Sequence, residues 1–160
     1  MLILFKFRTK QKIFKIDKTK IGGQLGELPT LLIGNIFYKG MPEVTDHKKG
    51  KFDSKRVLKW IRTAETLSQK TGVPHFLDIM AMYPEAMKQY ISFVTKHSEN
   101  VILIDGANPE TRLAGLEVVK ELGLQKKVIF NAIFPKITKD EIDAVRESDI
   151  DAAILLAQNE

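Results

Sequence analysis

The chain has no cysteine among its 160 residues, which excludes disulfides, thiolate zinc sites and cysteine nucleophiles. Histidine is scarce too: His47, His75 and His97 are scattered, and no metal centre is expected from them. Long apolar runs are missing. Met1-Leu2-Ile3-Leu4-Phe5 is cut short by Lys6 and Arg8, with neither the length of a membrane span nor the charge order of a signal peptide. The chain therefore reads as cytosolic, without a direct membrane span. Acidic residues are thin near the start: residues 6–20 hold six Lys and one Arg against Asp17 alone, and His47-Lys48-Lys49-Gly50-Lys51 adds a second basic cluster. Interleaved aromatics or a known nucleic-acid module are lacking, so no nucleic-acid partner is expected. Most of these lysines read as solvated surface. The functional alternative is attraction of an anionic substrate tail or an acidic partner.

What is present is a regular series of apolar runs that end in a carboxylate or amide. Phe76-Leu77-Asp78, Ile102-Leu103-Ile104-Asp105 and Val128-Ile129-Phe130-Asn131 place their polar residues 27 and 26 positions apart, and Ala153-Ile154-Leu155-Leu156 follows with Gln158 and Asn159 behind it. A strand plus its crossover helix takes about 30 residues. A parallel sheet built this way brings its strand C-termini to one rim, where α/β folds place their chemistry. Asp78, Asp105 and Asn131 are therefore expected to form the floor of a ligand site. A strand-end cap or Asx turn is the plain structural alternative for each, weightier for Asp78. Asn35 and Asn159 fit that plain reading better.

The remaining pattern supports an α/β fold. Residues 4–21 alternate apolar and basic, with Phe5, Phe7, Ile13, Phe14 and Ile16, and predict a small antiparallel ribbon, a lid across one end of the sheet. Gly22-Gly23-Gln24-Leu25-Gly26 reads as a connection and not as a phosphate loop, since no strand precedes it and no helix follows in the required way. Thr30-Leu31-Leu32-Ile33-Gly34 predicts a core strand buried on both faces, ending in Asn35 before a loop with exposed aromatics at Phe37 and Tyr38. Helices are expected after Asp53 or Ser54, from Pro84, from Pro109 (with Leu113, Leu116, Val119 and Leu122 inward) and after Thr138, and the last strand spans 152–157. Strict βα alternation implies a parallel sheet with right-handed crossovers. Polar residues at successive strand ends favour barrel-type closure over an open doubly wound sheet. A whole barrel needs at least about 200 residues. The expectation is thus an N-terminal β-ribbon and loop over 1–28 and, over 29–160, a partial, truncated TIM barrel of parallel βα repeats with five core strands.

Several stretches carry a resemblance. They include Lys20-Ile21-Gly22-Gly23-Gln24 with Gly26-Glu27, Pro29-Thr30-Leu31-Leu32-Ile33-Gly34, Ile36-Phe37-Tyr38 and Lys49-Gly50-Lys51-Phe52-Asp53. Leu77-Asp78 followed by Pro84-Glu85-Ala86-Met87, Leu103-Ile104-Asp105-Gly106, Gly123-Leu124-Gln125, Asn131-Ala132-Ile133 and Ala152-Ala153-Ile154-Leu155-Leu156-Ala157 continue it. In this order they resemble the methyl-pterin-demethylating subunit family of tetrahydromethanopterin S-methyltransferase, a pterin-binding barrel of methanogens, over the N-terminal half of that family's domain.

The resemblance implies methyl transfer from N5 of methyl-tetrahydromethanopterin to the cobalt(I) of a corrinoid (cobalamin) held by a partner subunit. It also implies a homo-oligomer and peripheral association with a membrane-bound methyltransferase complex. Related pterin enzymes place an aspartate where Asp105 falls. That assigns Asp105 as the bidentate acceptor of the ring's paired N–H groups, Asn131 as a mixed donor and acceptor, and Asp78 as a third floor residue. No catalytic residue is assigned, because the nucleophile is the metal. A methyl-tetrahydrofolate relative and a non-catalytic half-barrel that binds pterin or docks the corrinoid subunit are the alternative readings.

Overall fold

A computed structural model describes residues 5–157; the opening residues 1–4 and the polar pair Gln158 and Asn159 lie outside the described residues. The chain begins with an antiparallel ribbon, β1 (Ile13–Ile16) and β2 (Thr19–Gly22), followed by β3 (Leu32–Ile36) and a short pair, β4 (Val44–Asp46) and β5 (Lys51–Phe52). Then come α1 (Ser54–Thr71), β6 (His75–Ala81), α2 (Pro84–His97), β7 (Ile102–Gly106), α3 (Pro109–Glu121), a 3-10 turn at Gln125–Lys127, β8 (Val128–Ile133), α4 (Lys139–Glu147) and β9 (Ala152–Leu155).

Five strands form one parallel sheet in the order β3-β6-β7-β8-β9. Each strand lies beside the strand of this sheet that precedes it in the sequence, so the winding never reverses. A doubly wound sheet would show a switch in that order.

The helices start where local chemistry tells them to. The Asp53 carboxylate accepts from the backbone N–H groups of Lys55 and Arg56, and Gly72 ends α1 at a φ of 71°. Pro84 and Pro109 open α2 and α3. Thr138 and Glu141 form a reciprocal capping box on α4.

One face of the sheet packs against the helices. Leu77, Ile102 and Val128 are register partners in one row and Ile79, Ile104 and Phe130 in the next, all buried in the larger core with α1 to α3. The residues between them face the other way. There Phe76, Leu103 and Ile129 form a smaller core with Ile16 of the ribbon. Among the described residues only strands, the ribbon, Leu31 and Val101 (just before β7) build that cluster, and we call this the helix-free face. The ribbon closes its lower part, beneath the strand halves that lead to the polar residues.

Several expectations change. The first core strand runs Leu32–Ile36 and is not buried on both faces: Leu32 and Ile33 are about half exposed, because β3 is the edge of the sheet. Phe37 is not an exposed loop aromatic. It is 1% exposed, its ring stacked on Tyr90 at 3.9 Å between centroids. The basic residues 47–51 sit in and after the β4–β5 turn, where Asp46 accepts from the N–H groups of Lys48 and Lys49. On α3, Leu122 is half exposed, and the buried set is Thr111, Arg112, Ala114, Gly115, Leu116, Val118 and Val119. That helix lies between α2 and α4 as well as on the sheet, so it buries far more than one stripe.

Candidate functional site

Asp78, Asp105 and Asn131 all project from the helix-free face of three adjacent central strands. Asp105 and Asn131 are direct register partners, each the fourth residue of its strand. Asp78 is placed differently from expectation. The strand does not end there: β6 continues through Ile79, Met80 and Ala81, and the register partner of Asp105 on β6 is Met80. Asp78 therefore sits two residues deeper, paired with Leu103 and with Asn35. The sheet still brings it to the others. Asn131 Nδ2 lies 3.4 Å from both carboxylate oxygens of Asp78, a long bifurcated contact.

The electrostatics follow from burial. Asp78 is 4% exposed. Burial first, and then the neighbouring Asp105 carboxylate, push its carboxyl from the ordinary 3.8 up to about 6, against an opposing hydrogen bond from Asn131. Asp105 is also raised by burial, while the Arg112 guanidinium pulls it back down. Among the described residues no side chain hydrogen-bonds the Asp105 carboxylate. It does not cap the following helix either, because the Asn108 side chain accepts from the Thr111 N–H at 2.9 Å and performs that role. A half-buried carboxylate without an internal partner is ready for a donor from outside.

The arrangement is a layered floor. Met80, Asp105 and Asn131 form the upper row, with Asp78, Leu103 and Ile129 below. Asn35, read from sequence as a plain strand end, stands beside Asp78 in the lower row and donates from Nδ2 to Met80 Sδ at 3.2 Å. A cavity of about 80 Å³ opens above, between the loops after β3 and β6, where Lys39, Met80, Met82 and Asp105 meet. The chemistry this floor offers is a carboxylate acceptor at Asp105, both a donor and an acceptor at Asn131, and apolar contact from the methionines.

Sequence reasoning missed the ion pair beside this floor. Arg112 Nε donates to Glu141 Oε1 at 2.6 Å and Arg112 Nη1 donates to the Gly106 carbonyl at 2.7 Å. The Arg112 and Glu141 side chains are 9% and 0% exposed. Burial alone would raise the Glu141 carboxyl, yet the hydrogen bonds from Arg112 and Thr138 hold it below the usual carboxylate range. The only signal was a charged residue beside the apolar series of α3, which on its own reads as solvated. None of the histidines lies at the floor: His75 begins β6, His97 ends α2 and His47 belongs to the β4–β5 turn. Among the described residues, no helix is long and apolar enough to cross a membrane.

A singly wound parallel sheet with two carboxylates and an amide converging on its helix-free face defines an α/β protein of the βα-repeat class, with a polar floor on that face. The particular family follows from comparison. The family model described as Tetrahydromethanopterin S-methyltransferase MtrH subunit matches residues 9–160, and the chain belongs to that family. It is 42% identical over 156 residues to the H-subunit of the putative mtx methyltransferase of Methanosarcina barkeri, covering 98% of this chain and 50% of that protein. It is 36% identical to the tetrahydromethanopterin S-methyltransferase H-subunit of Methanothermobacter marburgensis, over 98% of this chain and 50% of the relative. With the H-subunit of the same enzyme from Methanopyrus kandleri it shares 37% identity over 94% of this chain and 47% of the relative. The chain spans about half the length of the curated relatives it matches.

Proposed function

We propose that the chain is the pterin-binding part of a methyltransferase subunit that takes the N5-methyl group of a methyl-tetrahydropterin, methyl-tetrahydromethanopterin by family, for transfer to a corrinoid carried by a partner subunit. The observation that carries this reading is the convergence of Asp78, Asp105 and Asn131 on one face in a chain of the MtrH family. A corrinoid held by the partner subunit would supply the reduced cobalt as the nucleophile. The chain's share is binding and orientation. Asp105 fixes the guanidine-like edge of the ring, Asn131 reads a neutral ring position, and Asp78 lies beneath as a carboxyl that takes up a proton near pH 6. The departing ring nitrogen keeps the bonding pair and must gain a proton or a hydrogen bond. Residues outside this chain's floor share in that step, so binding is the part assigned here.

The sheet is proposed to be a barrel segment, with the ribbon and its loop, within 1–28, as an accessory unit and 29–160 as the partial barrel. Sequential strand order supports it, as does a groove of about 500 Å³ between β3 and α1, lined by Gly34, Ile36, Leu77, Val57, Trp60 and Ile61. In a closed series of βα units a further helix would fill that place. The exposed edges at Leu32, Ile33 and Leu155 favour self-association, read by light scattering as a mass above that of one chain; monomeric behaviour at high concentration would contradict it.

A second reading, pterin binding without turnover, is favoured by the floor itself, whose Asp78, Asp105 and Asn131 can hold and orient a ring and include no methyl acceptor. Titration with methyl-tetrahydromethanopterin and methyl-tetrahydrofolate, followed by mixing with a reduced corrinoid protein, separates these. Binding with transfer supports the first reading, binding alone the second, and no binding contradicts both.

A further inference from the structure

The Arg112–Glu141 pair stands where loops from both site strands meet. Arg112 belongs to the first turn of α3, and its Nη1 donates to the carbonyl of Gly106, the residue after Asp105. Its guanidinium lies 5.4 Å from the ring centroid of Phe134, just past the strand that carries Asn131. Its Nε donates to Glu141, which also accepts from the N–H and hydroxyl of Thr138 and so locks the start of α4. One side chain thus fastens the end of β7, the segment after β8 and the first turn of α4. The fit at Gly106 is tight: a Cβ there would stand 2.7 Å from Arg112 Cγ and from the Arg112 backbone nitrogen.

A buried ion pair is a poor device for stability alone. Desolvating both charges offsets most of their attraction, and well-packed apolar side chains often serve as well. What the pair provides is directional fixation of the strand ends. We infer that Arg112, held by Glu141, is a positioning residue that sets the Asp105 carboxylate and the Asn131 amide for the ligand without touching it. This deepens the pterin-binding reading and rests on it. Arg112 also bears on the charge of Asp105. The groups facing that carboxylate are Asp78 on β6, Asn131 on β8, Lys39 from the loop after β3 and Arg112 on α3, and Arg112 opposes the effect of burial.

The test uses the full chain with Arg112→Gln, which takes the cationic partner from Glu141, and with the paired variant Arg112→Met/Glu141→Met, which removes both charges and retains apolar bulk. Asp105 is titrated by carboxyl carbon NMR, and methyl-tetrahydromethanopterin affinity is measured by calorimetry. The expected result is a folded paired variant in which the Asp105 midpoint moves upward and affinity falls by on the order of tenfold. A folded paired variant with unchanged Asp105 titration and unchanged affinity overturns the inference and leaves Arg112 structural. If the wild-type chain binds no methyl-pterin, the functional reading fails, and the NMR signals of the Asn131 side-chain amide, a neutral group on the neighbouring strand, still decide this one: their displacement in the folded paired variant supports positioning, and unchanged signals overturn it.

Discussion

The two faces of this sheet are built from alternate residues of the same strands and serve opposite ends. On the helix side, Ile79, Ile104 and Phe130 are all fully buried in one continuous core with α1 to α3. On the other side, the residues between them include Asp78, Asp105 and Asn131, set above a small apolar patch closed by Ile16 of the ribbon. A strand has a side-chain period of two, so one short segment encodes both a core and a site. The comparison teaches that burial means different things on the two faces. Burial of Phe130 stabilises the fold, whereas burial of Asp78 strains an ionised carboxyl.

The sharpest way to break that contrast is truncation on the helix face. Phe130→Ala should lower unfolding free energy by about 3–5 kcal/mol, read from the denaturant midpoint. A loss below about 1 kcal/mol would mean that the helix face is not the stabilising one.

Asp78→Asn should act in the opposite direction. The carboxyl is raised from 3.8 to about 6, so the fold favours its protonated form. The stability this contributes is fully present below about pH 4 and is lost as pH rises through about 6. The variant, which cannot ionise, should match the wild type near pH 3.5 and exceed it by roughly 2–3 kcal/mol at pH 8. Thermal melts across that range check it, and a variant less stable at pH 8 would show Asp78 to be structural. A buried carboxylate that costs stability is the trade expected if Asp78 serves the proposed site.

A smaller effect is expected at the top of α3. Asn108→Ala removes the cap and should cost about 1 kcal/mol in thermal or denaturant unfolding. If Asp105→Asn cost as much and Asn108→Ala nothing, the capping role would belong to Asp105.

Much of this plan was legible in the chain. The 27- and 26-residue spacing located three central strands, and Met87, Tyr90, Ile91 and Val94, at helical spacing, are all buried as α2 requires. Two kinds of feature were not legible. Position in the sheet is tertiary: Leu32 and Ile33 read as doubly buried because an apolar run looks the same at an edge as in the centre. The depth of Asp78 leaves no local mark, because a carboxylate after Phe76 and Leu77 looks like a strand end, while Ile79, Met80 and Ala81 carry the strand onward. Charged pairs between distant elements leave no local trace either, and Arg112 and Glu141 are 29 positions apart. The floor was found because its members recur at a fixed interval; its support was missed because ion pairs have no period.

The central claim is that Asp105 receives the pterin edge while Asp78 lies beneath it. The direct measurement is calorimetric titration of wild type, Asp105→Asn and Asp78→Asn with methyl-tetrahydromethanopterin at pH 7. Asp105→Asn turns an acceptor oxygen into a donor that faces the ring's donors, at a cost of about 1–3 kcal/mol in binding. Its melting temperature should change by less than the loss of one cap. Asp78→Asn should bind with a much smaller loss. Unchanged affinity in Asp105→Asn beside a large loss of stability would contradict the account and make Asp105 a structural residue.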